Sequence, residues 1–344
     1  MAAGAASIVR SGDLCYTGRN PILRGGLHQW IPKDKAERNS HAGLFVAAPT
    51  IEAIDAVRHS VTMQLVAMSQ WATEHECREC LRSVATSMEG LFQSISHHAA
   101  TGQMHPFFHV ALSEGEGPVL LEPRVVRLGV YPVAADPMHW GHILVGLTAM
   151  ASMRLDKMIF IIAGADPRKP SMTPAETRHR LGRSVIETFH PLFAYSPLAL
   201  GNDLDGETNL GRLLKLNSHQ AMEIFYVAGA DHFRRTTPRG EPDTILKLEK
   251  VVHESRNDLH KVAAIFIERE GMPRDRDKPE TLLEVVVLPP IPLSFSSTAA
   301  RKALCNDSIC VDLVSLPYSC LLQIRTGGLY AGKAECVEEL ESPL

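Results

Sequence analysis

Two histidines, His139 and His142, lie three residues apart at the start of a predicted helix. At that spacing both imidazoles can face the same side of the helix. The start of a helix also offers free backbone N–H groups and the positive end of the helix dipole. Ser296 to Thr298 open a second predicted helix, and Arg301 follows one turn later. Imidazole, hydroxyl and guanidinium groups beside free N–H groups are typical of a polyphosphate site, where they stabilise the charge that develops during attack at phosphorus.

Two further polar segments carry groups of the same kind. Lys169 follows one apolar run, and Gly229-Ala230-Asp231 follows another. A phosphate monoester that attacks phosphorus is already ionised near neutral pH, so this chemistry needs no general base. Positioning and electrostatic stabilisation are sufficient.

From residue 125 onward, short apolar runs alternate with segments of helical periodicity, which predicts a parallel sheet with right-handed crossovers. The carboxyl ends of parallel strands share one edge, and ligands bind there. The polar segments are therefore expected to meet in a doubly wound, Rossmann-like α/β domain. The predicted strands are Val125–Tyr131, Met158–Ala163, Glu223–Ala228, Val262–Ile267 and Val285–Leu288. The predicted helices are Trp140–Arg154, Pro174–Phe189 with Thr173 as N-cap, and one from Asp205 or Thr208 to Leu216.

The sequence divides into three predicted regions. Residues 1–122 form an extension, irregular at first and then helical from Thr50 to about His98; residues 123–333 form the α/β domain, and residues 334–344 an acidic tail. The extension is expected to pack on the α/β domain or on a partner subunit. Cys77 and Cys80 lie on its predicted helix, and two semi-buried thiols are favoured there over a metal site.

The composition excludes several classes of protein. The 344-residue chain has a net charge of −4, and nothing in its composition indicates the broad basic face that nucleic-acid binding needs, although a local positive pocket for phosphates is compatible with this balance. No apolar run approaches the length that spans a bilayer, and the N-terminus lacks the layout of a signal peptide. A protein of the cytoplasm is therefore expected, without membrane or nucleic-acid partners; a homo-oligomer remains open.

The polar segments together resemble a known family. Asp136 to His142 reads D-P-M-H-W-G-H and Phe295 to Arg301 reads F-S-S-T-A-A-R, which resemble the two signature motifs of the H-x-G-H nucleotidyltransferases. Within that superfamily the chain is most similar to the nicotinate or nicotinamide mononucleotide adenylyltransferases. The similarity runs from about residue 126 to residue 330, and includes Gly229-Ala230-Asp231 and the turn that contains Arg269.

The resemblance implies a reaction in which ATP and nicotinate (or nicotinamide) mononucleotide give a dinucleotide and pyrophosphate, with Mg²⁺ accompanying ATP. It implies that His139, His142 and Arg301 are catalytic. The residues implied to bind ATP and its phosphates are Tyr131, Asp136, Lys169, Gly229, Asp231, Ser296, Ser297 and Thr298. Those implied to bind the acceptor are Thr208, Phe233 and Arg269.

The sequence departs from the family pattern at three points. The loop from Tyr131 to Asp136 is longer than in bacterial members, Phe233 rather than a Trp follows Asp231, and Gly206 to Asn209 replaces a Tyr-Thr segment. Two alternatives follow: a related nucleotidyltransferase with another phosphate acceptor, or a nucleotide sensor without turnover. Each residue also has a structural interpretation, since an H-x-x-H pair can be incidental and a Ser-Ser-Thr run can simply cap a helix.

Overall fold

The protein is described from a computed structural model. The structure describes residues 46–47, 49–104, 107–108, 110–115, 124–165, 171–237, 239–268, 280–291, 293, 295–305 and 310–330.

The centre of the fold is a six-stranded parallel sheet. Its strand order is β5-β4-β3-β6-β7-β8, so consecutive strands lie outward on both sides of the β3–β6 pair. This is the order of a doubly wound Rossmann-like sheet, and the predicted fold class is confirmed. The strands are β3 Val126–Val133, β4 Lys157–Ile162, β5 Phe193–Ser196, β6 Met222–Gly229, β7 His260–Ile267 and β8 Glu284–Leu288. A separate antiparallel pair joins β1 Val46–Ala47 to β2 Phe107–Phe108.

Helices cover both faces of the sheet because inward side chains alternate along each strand. One face packs on α5 and α6, and the other on α1 to α4 and α7 to α9. The helices are α1 Ile51–Trp71, α2 His75–Ala100, α3 Trp140–Met153, α4 Ala175–Thr188, α5 Gly206–Leu216, α6 Thr244–Ser255, α7 Ser297–Cys305, α8 Val311–Val314 and α9 Tyr318–Thr326. None of the described helices has both the length and the apolar character that a membrane crossing requires.

Two helices begin with a side-chain cap at a residue where the sequence predicted a helix start. The Thr50 hydroxyl accepts from the Ala53 N–H at the start of α1 (3.2 Å), and the Asp205 carboxylate accepts from the Thr208 N–H at the start of α5 (2.9 Å). The prediction for α4 is wrong: Pro174 occupies the cap position instead of the first helical position, and it makes no side-chain cap bond. Thr173 instead uses its backbone in contacts described below.

The helical part of the extension belongs to the core of the α/β domain. Buried residues of α1 and α2, such as Ile54, Val84 and Phe92, lie in the same hydrophobic cluster as α3 and α4. A ring nitrogen of His98 lies 2.9 Å from the Ala151 carbonyl oxygen in α3. Helical structure from Thr50 to His98 is confirmed, and these helices pack on their own chain.

The segment that leads from these helices towards β3 is also fixed. The side-chain amide of Asn217 accepts from the Ala111 N–H (2.8 Å) and donates to the Ala111 carbonyl (2.9 Å). This pairing satisfies both polar groups of a buried backbone unit, as a neighbouring strand would. The predicted boundaries at residues 122 and 333 adjoin or lie in segments outside the described residues, and they stay predictions.

Candidate active site

The histidine pair lies at the carboxyl edge of the sheet, beyond the end of β3. The strand order reverses between β3 and β6, and the crevice at such a point is where open α/β sheets bind ligands. His139 is the N-cap residue of α3, and Gly229 to Asp231 continue directly from β6. Two of the predicted polar segments therefore border one crevice.

The two imidazoles are stacked on one another. Their ring centroids are 3.9 Å apart, and the planes differ by 30°. The His139 N–H donates to Nδ1 of His142 at 3.2 Å. A ring nitrogen that accepts a hydrogen bond carries no proton, so the neutral His142 ring carries its proton on Nε2. The capping contact thus fixes His142 as an Nε2–H donor.

Gly141 leaves the space that the His139 ring occupies. A Cβ atom at position 141 would lie 2.9 Å from His139 Nδ1 and 3.3 Å from a ring carbon of Phe295. Any larger residue would displace the imidazole or the phenyl ring. The glycine of the H-x-G-H motif therefore has a steric reason in this fold.

The start of α7 is attached to the segment that precedes α3. The Ser297 hydroxyl donates to the Pro137 carbonyl at 3.0 Å, and the Arg301 guanidinium donates to the Asp136 carbonyl at 2.6 Å. The Phe295 ring lies 6.1 Å from the His139 ring. The two helix N-termini that the sequence separates by more than 150 residues therefore meet at one place.

Asp136 is the centre of these attachments, and its side chain is only 3% exposed. One carboxylate oxygen accepts from the Thr173 N–H (3.1 Å) and lies 3.5 Å from the Arg301 guanidinium. The other accepts from the Tyr330 hydroxyl (2.8 Å). Burial, with the Asp136 charge second, raises the pKa of Tyr330 above its ordinary value, so the hydroxyl stays a donor. Asp136 was predicted to bind ATP; its burial favours a supporting role.

Arg178 was not among the predicted site residues, although it lies directly beneath the site. The residue is 1% exposed, and its guanidinium donates to the carbonyls of Ala134, Ala163, Gly164 and Thr173. In sequence it appears as one of several arginines on a polar helix. Arg178 is buried because it binds the ends of strands that are distant in sequence. No local sequence pattern marks such a residue, so only the folded structure distinguishes Arg178 from the other arginines of the helix.

Comparison with known proteins identifies relatives of the α/β domain. The chain is 28% identical over 210 residues to a "Probable nicotinate-nucleotide adenylyltransferase" of Clostridium botulinum, covering 59% of this chain and 98% of that one. A protein of the same name from Thermus thermophilus is 26% identical over 186 residues, 52% of this chain and 87% of its own. No protein-family model matches.

Two solved structures of the Plasmodium falciparum nicotinic acid mononucleotide adenylyltransferase also match, complexed with APC and with NaAD. Their identities are 17% and 18% and their TM-scores 0.47 and 0.48; each match covers 60% of this chain and 97% of that chain.

The chain is therefore similar in sequence to enzymes named nicotinate-nucleotide adenylyltransferase, which are nucleotidyltransferases. The residues predicted to bind ATP differ in their burial and in their contacts with the histidine pair and Arg301. Tyr131 is buried, with its ring 6.3 Å from that of His142. Ser296 accepts from the Ala299 N–H at 3.3 Å, and the Thr298 hydroxyl lies 3.2 Å from the Arg301 guanidinium. Asp231 is half-buried beside His232, with 3.4 Å between carboxylate and imidazole.

The predicted acceptor side has less support in the adenylyltransferase-like domain. Phe233 is 2% exposed and packs edge-on against Phe266, with ring centroids 5.0 Å apart. This placement favours core packing over stacking on a pyridine ring. Thr208 is exposed in the first turn of α5. Lys169 and Arg269 lie outside the described residues, and their predicted roles stay predictions.

Cys77 and Cys80 are free, buried thiols on α2. Burial raises the pKa of Cys80 to about 11, which keeps this thiol protonated near neutral pH. Within the described ranges no group of three or more His, Cys, Asp or Glu side chains could hold a metal ion. Cys77 is fully buried and Cys80 is 8% exposed, so both thiols lie deeper in the core than the semi-buried position that was predicted.

Proposed function

We propose that the protein transfers the adenylyl group of ATP to nicotinate mononucleotide, releasing pyrophosphate, as a step of NAD biosynthesis. The observation that carries this proposal is the meeting of the α3 and α7 N-termini at the switch point of the sheet. Their contact through Asp136 and Pro137 gathers His139, His142 and Arg301 around one crevice. The names of the relatives support an acceptor whose pyridine ring carries a carboxylate, as in nicotinate mononucleotide, rather than an amide.

The chain's own residues would act by binding and orienting the triphosphate. The Nε2–H of His142 donates to one phosphate oxygen, and the imidazole of His139, stacked against it, donates to a neighbouring phosphate oxygen. Arg301 stabilises the charge that grows on the departing pyrophosphate, and α7 adds the N–H groups of its first turn. These donors are fixed before the reaction, so they stabilise the transition state without reorganisation.

Mg²⁺ is proposed to arrive with ATP, held mainly by phosphate oxygens and water. Asp231, two residues beyond the end of β6, is the side chain proposed to position the ATP ribose or this ion, since carboxylate oxygens are ligands that Mg²⁺ accepts. When bound, the ion neutralises charge on the triphosphate.

A panel of acceptors tests the proposal. The full-length protein is incubated with ATP, Mg²⁺ and, one at a time, nicotinate mononucleotide, nicotinamide mononucleotide, a pantetheine phosphate and an alcohol phosphate. Pyrophosphate release is measured. The proposal expects the highest kcat/KM with nicotinate mononucleotide. Pyrophosphate release with only another acceptor, or ATP binding without release from any of them, would reject it.

A further inference from the structure

The guanidinium of Arg178 binds backbone groups from three separate segments. Its Nε donates to the Thr173 carbonyl (2.8 Å), and one terminal nitrogen donates to the carbonyls of Ala134 (2.7 Å) and Ala163 (2.8 Å). The other terminal nitrogen donates to the Gly164 carbonyl. Ala134 directly follows β3, Ala163 and Gly164 follow β4, and Thr173 precedes α4. One side chain therefore fixes where two neighbouring strands end and where the next helix begins.

The backbone of Thr173 links the Arg178 guanidinium to the candidate active site. Its carbonyl is held by Arg178, and its N–H is held by the Asp136 carboxylate. Asp136 in turn contacts Arg301, and Ala134 lies five residues before His139. Hydrogen bonds thus connect Arg178 through Thr173 and Asp136 to Arg301 of α7, and five residues of chain connect the held Ala134 carbonyl to His139 at the start of α3.

The chemistry of this arrangement requires arginine in particular. A guanidinium presents five N–H donors in a rigid plane, whereas a lysine ammonium has three donors around one point and cannot reach carbonyls on both sides of a fork. Buried carbonyls that lose a donor are costly, so the strand ends would move to find other partners.

We propose that Arg178 is a positioning residue for adenylyl transfer: without touching the nucleotide, it sets the geometry of the β3 and β4 ends on which His139 and Arg301 depend. The proposal rests on the function proposed above. It predicts that the planar fork matters for turnover and ATP binding beyond any contribution to folding.

The test compares Arg178→Lys and Arg178→Gln with the matched variant Arg180→Lys, which changes an exposed arginine on the same helix. Circular dichroism and melting curves first fix an assay temperature at which each variant is folded. Then kcat and KM for ATP are measured by pyrophosphate release with nicotinate mononucleotide, and ATP affinity is measured by calorimetry without acceptor. Folded Arg178→Lys is expected to lose roughly 10- to 100-fold in kcat/KM, with kcat itself reduced, because small displacements of reacting groups cost that much.

Three results would overturn the proposal. Folded Arg178→Lys could show the same kcat and KM as Arg180→Lys, or activity could be lost only in Arg178→Gln, which would make the positive charge and not the planar fork responsible. If neither Arg178 variant folded, the role of Arg178 would be one of stability. If the wild-type protein released no pyrophosphate, the proposed function would fail. ATP affinity would still decide the role of Arg178, since at least tenfold weaker binding is expected from Arg178→Lys than from Arg180→Lys.

Discussion

At the scale of single residues, the site depends on close packing around the stacked imidazoles. His139 is the N-cap residue of α3, and its ring lies close to the Cα of Gly141 and beside the Phe295 ring. These contacts determine where the imidazole lies. The histidines, Ser297 and Arg301 could be predicted from the sequence because their types and spacing suit phosphate chemistry. Arg178 could not, because three of its four carbonyl partners lie at the ends of distant strands, and no local pattern encodes them.

Gly141→Ala is expected to reduce kcat by roughly 10- to 100-fold, because the added methyl group would meet the His139 ring. The overall fold should persist, since alanine suits the first turn of a helix. Steady-state pyrophosphate release measures the change.

Gly211→Ala is the matched control for that prediction, since its Cβ would lie 3.6 Å from Val251, an ordinary contact. That variant should keep full activity and gain about 0.5–1 kcal/mol of stability. Equal activity of the two variants would show that the His139 ring position does not limit turnover.

At the scale of elements, strands with apolar runs were predicted well and short elements were missed. Five of the six sheet strands lie where the periodicity placed them, within two residues at most ends. β5 has only four residues, Phe193 to Ser196, and lies at the sheet edge, where half-buried Ala194 and Tyr195 do not form an apolar run. Helix α6 was also missed, because its charged residues conceal a narrow buried stripe at Ile245 and Leu248.

The contact between α4 and β5 contains a pH-dependent element. His179 Nδ1 lies 2.7 Å from the Tyr195 hydroxyl, and burial, the largest cause, lowers the pKa of His179 from 6.5 to about 4. Below pH 6.5 the His179 imidazole is protonated in the unfolded chain, whereas in the folded protein it stays neutral until about pH 4. The free energy of unfolding is therefore expected to fall as the pH is lowered through this window.

Urea unfolding at several pH values measures this dependence. His179→Gln keeps a hydrogen-bonding side chain but does not titrate, so its stability should change less between pH 6.5 and about 4 than that of the wild type. His253→Gln, which alters an exposed histidine of α6, is the control and should follow the wild-type curve. Parallel curves for His179→Gln and the wild type would contradict the explanation.

At the scale of the whole molecule, the helices of the extension and the α/β domain share one hydrophobic core. The sequence predicted both helices, yet their placement depends on matching apolar surfaces that periodicity alone does not pair. Helix α2 packs on α3, and His139 is the N-cap residue of α3. The described part of the extension therefore helps to hold in place the helix that carries the histidine pair.

Phe92→Ala removes a fully buried ring of α2 and is expected to destabilise the protein by about 3–5 kcal/mol. Because the core is continuous, loss of helical signal and loss of ATP binding should occur at the same denaturant concentration. Leu322→Ala, at an exposed position of α9, is the control and should change little. Two separate transitions in Phe92→Ala would show that the extension unfolds independently.

The central claim is that the imidazole of His139 acts on phosphate at the crevice where α3 and α7 begin. The most direct measurement is single-turnover pyrophosphate release from ATP and nicotinate mononucleotide, comparing the wild type with His139→Ala and monitoring ATP affinity in parallel. We expect the variant's rate to fall by roughly 100- to 1000-fold, because a fixed donor to the transition state is lost, while ATP affinity stays nearly unchanged. An undiminished rate in folded His139→Ala would contradict the claim.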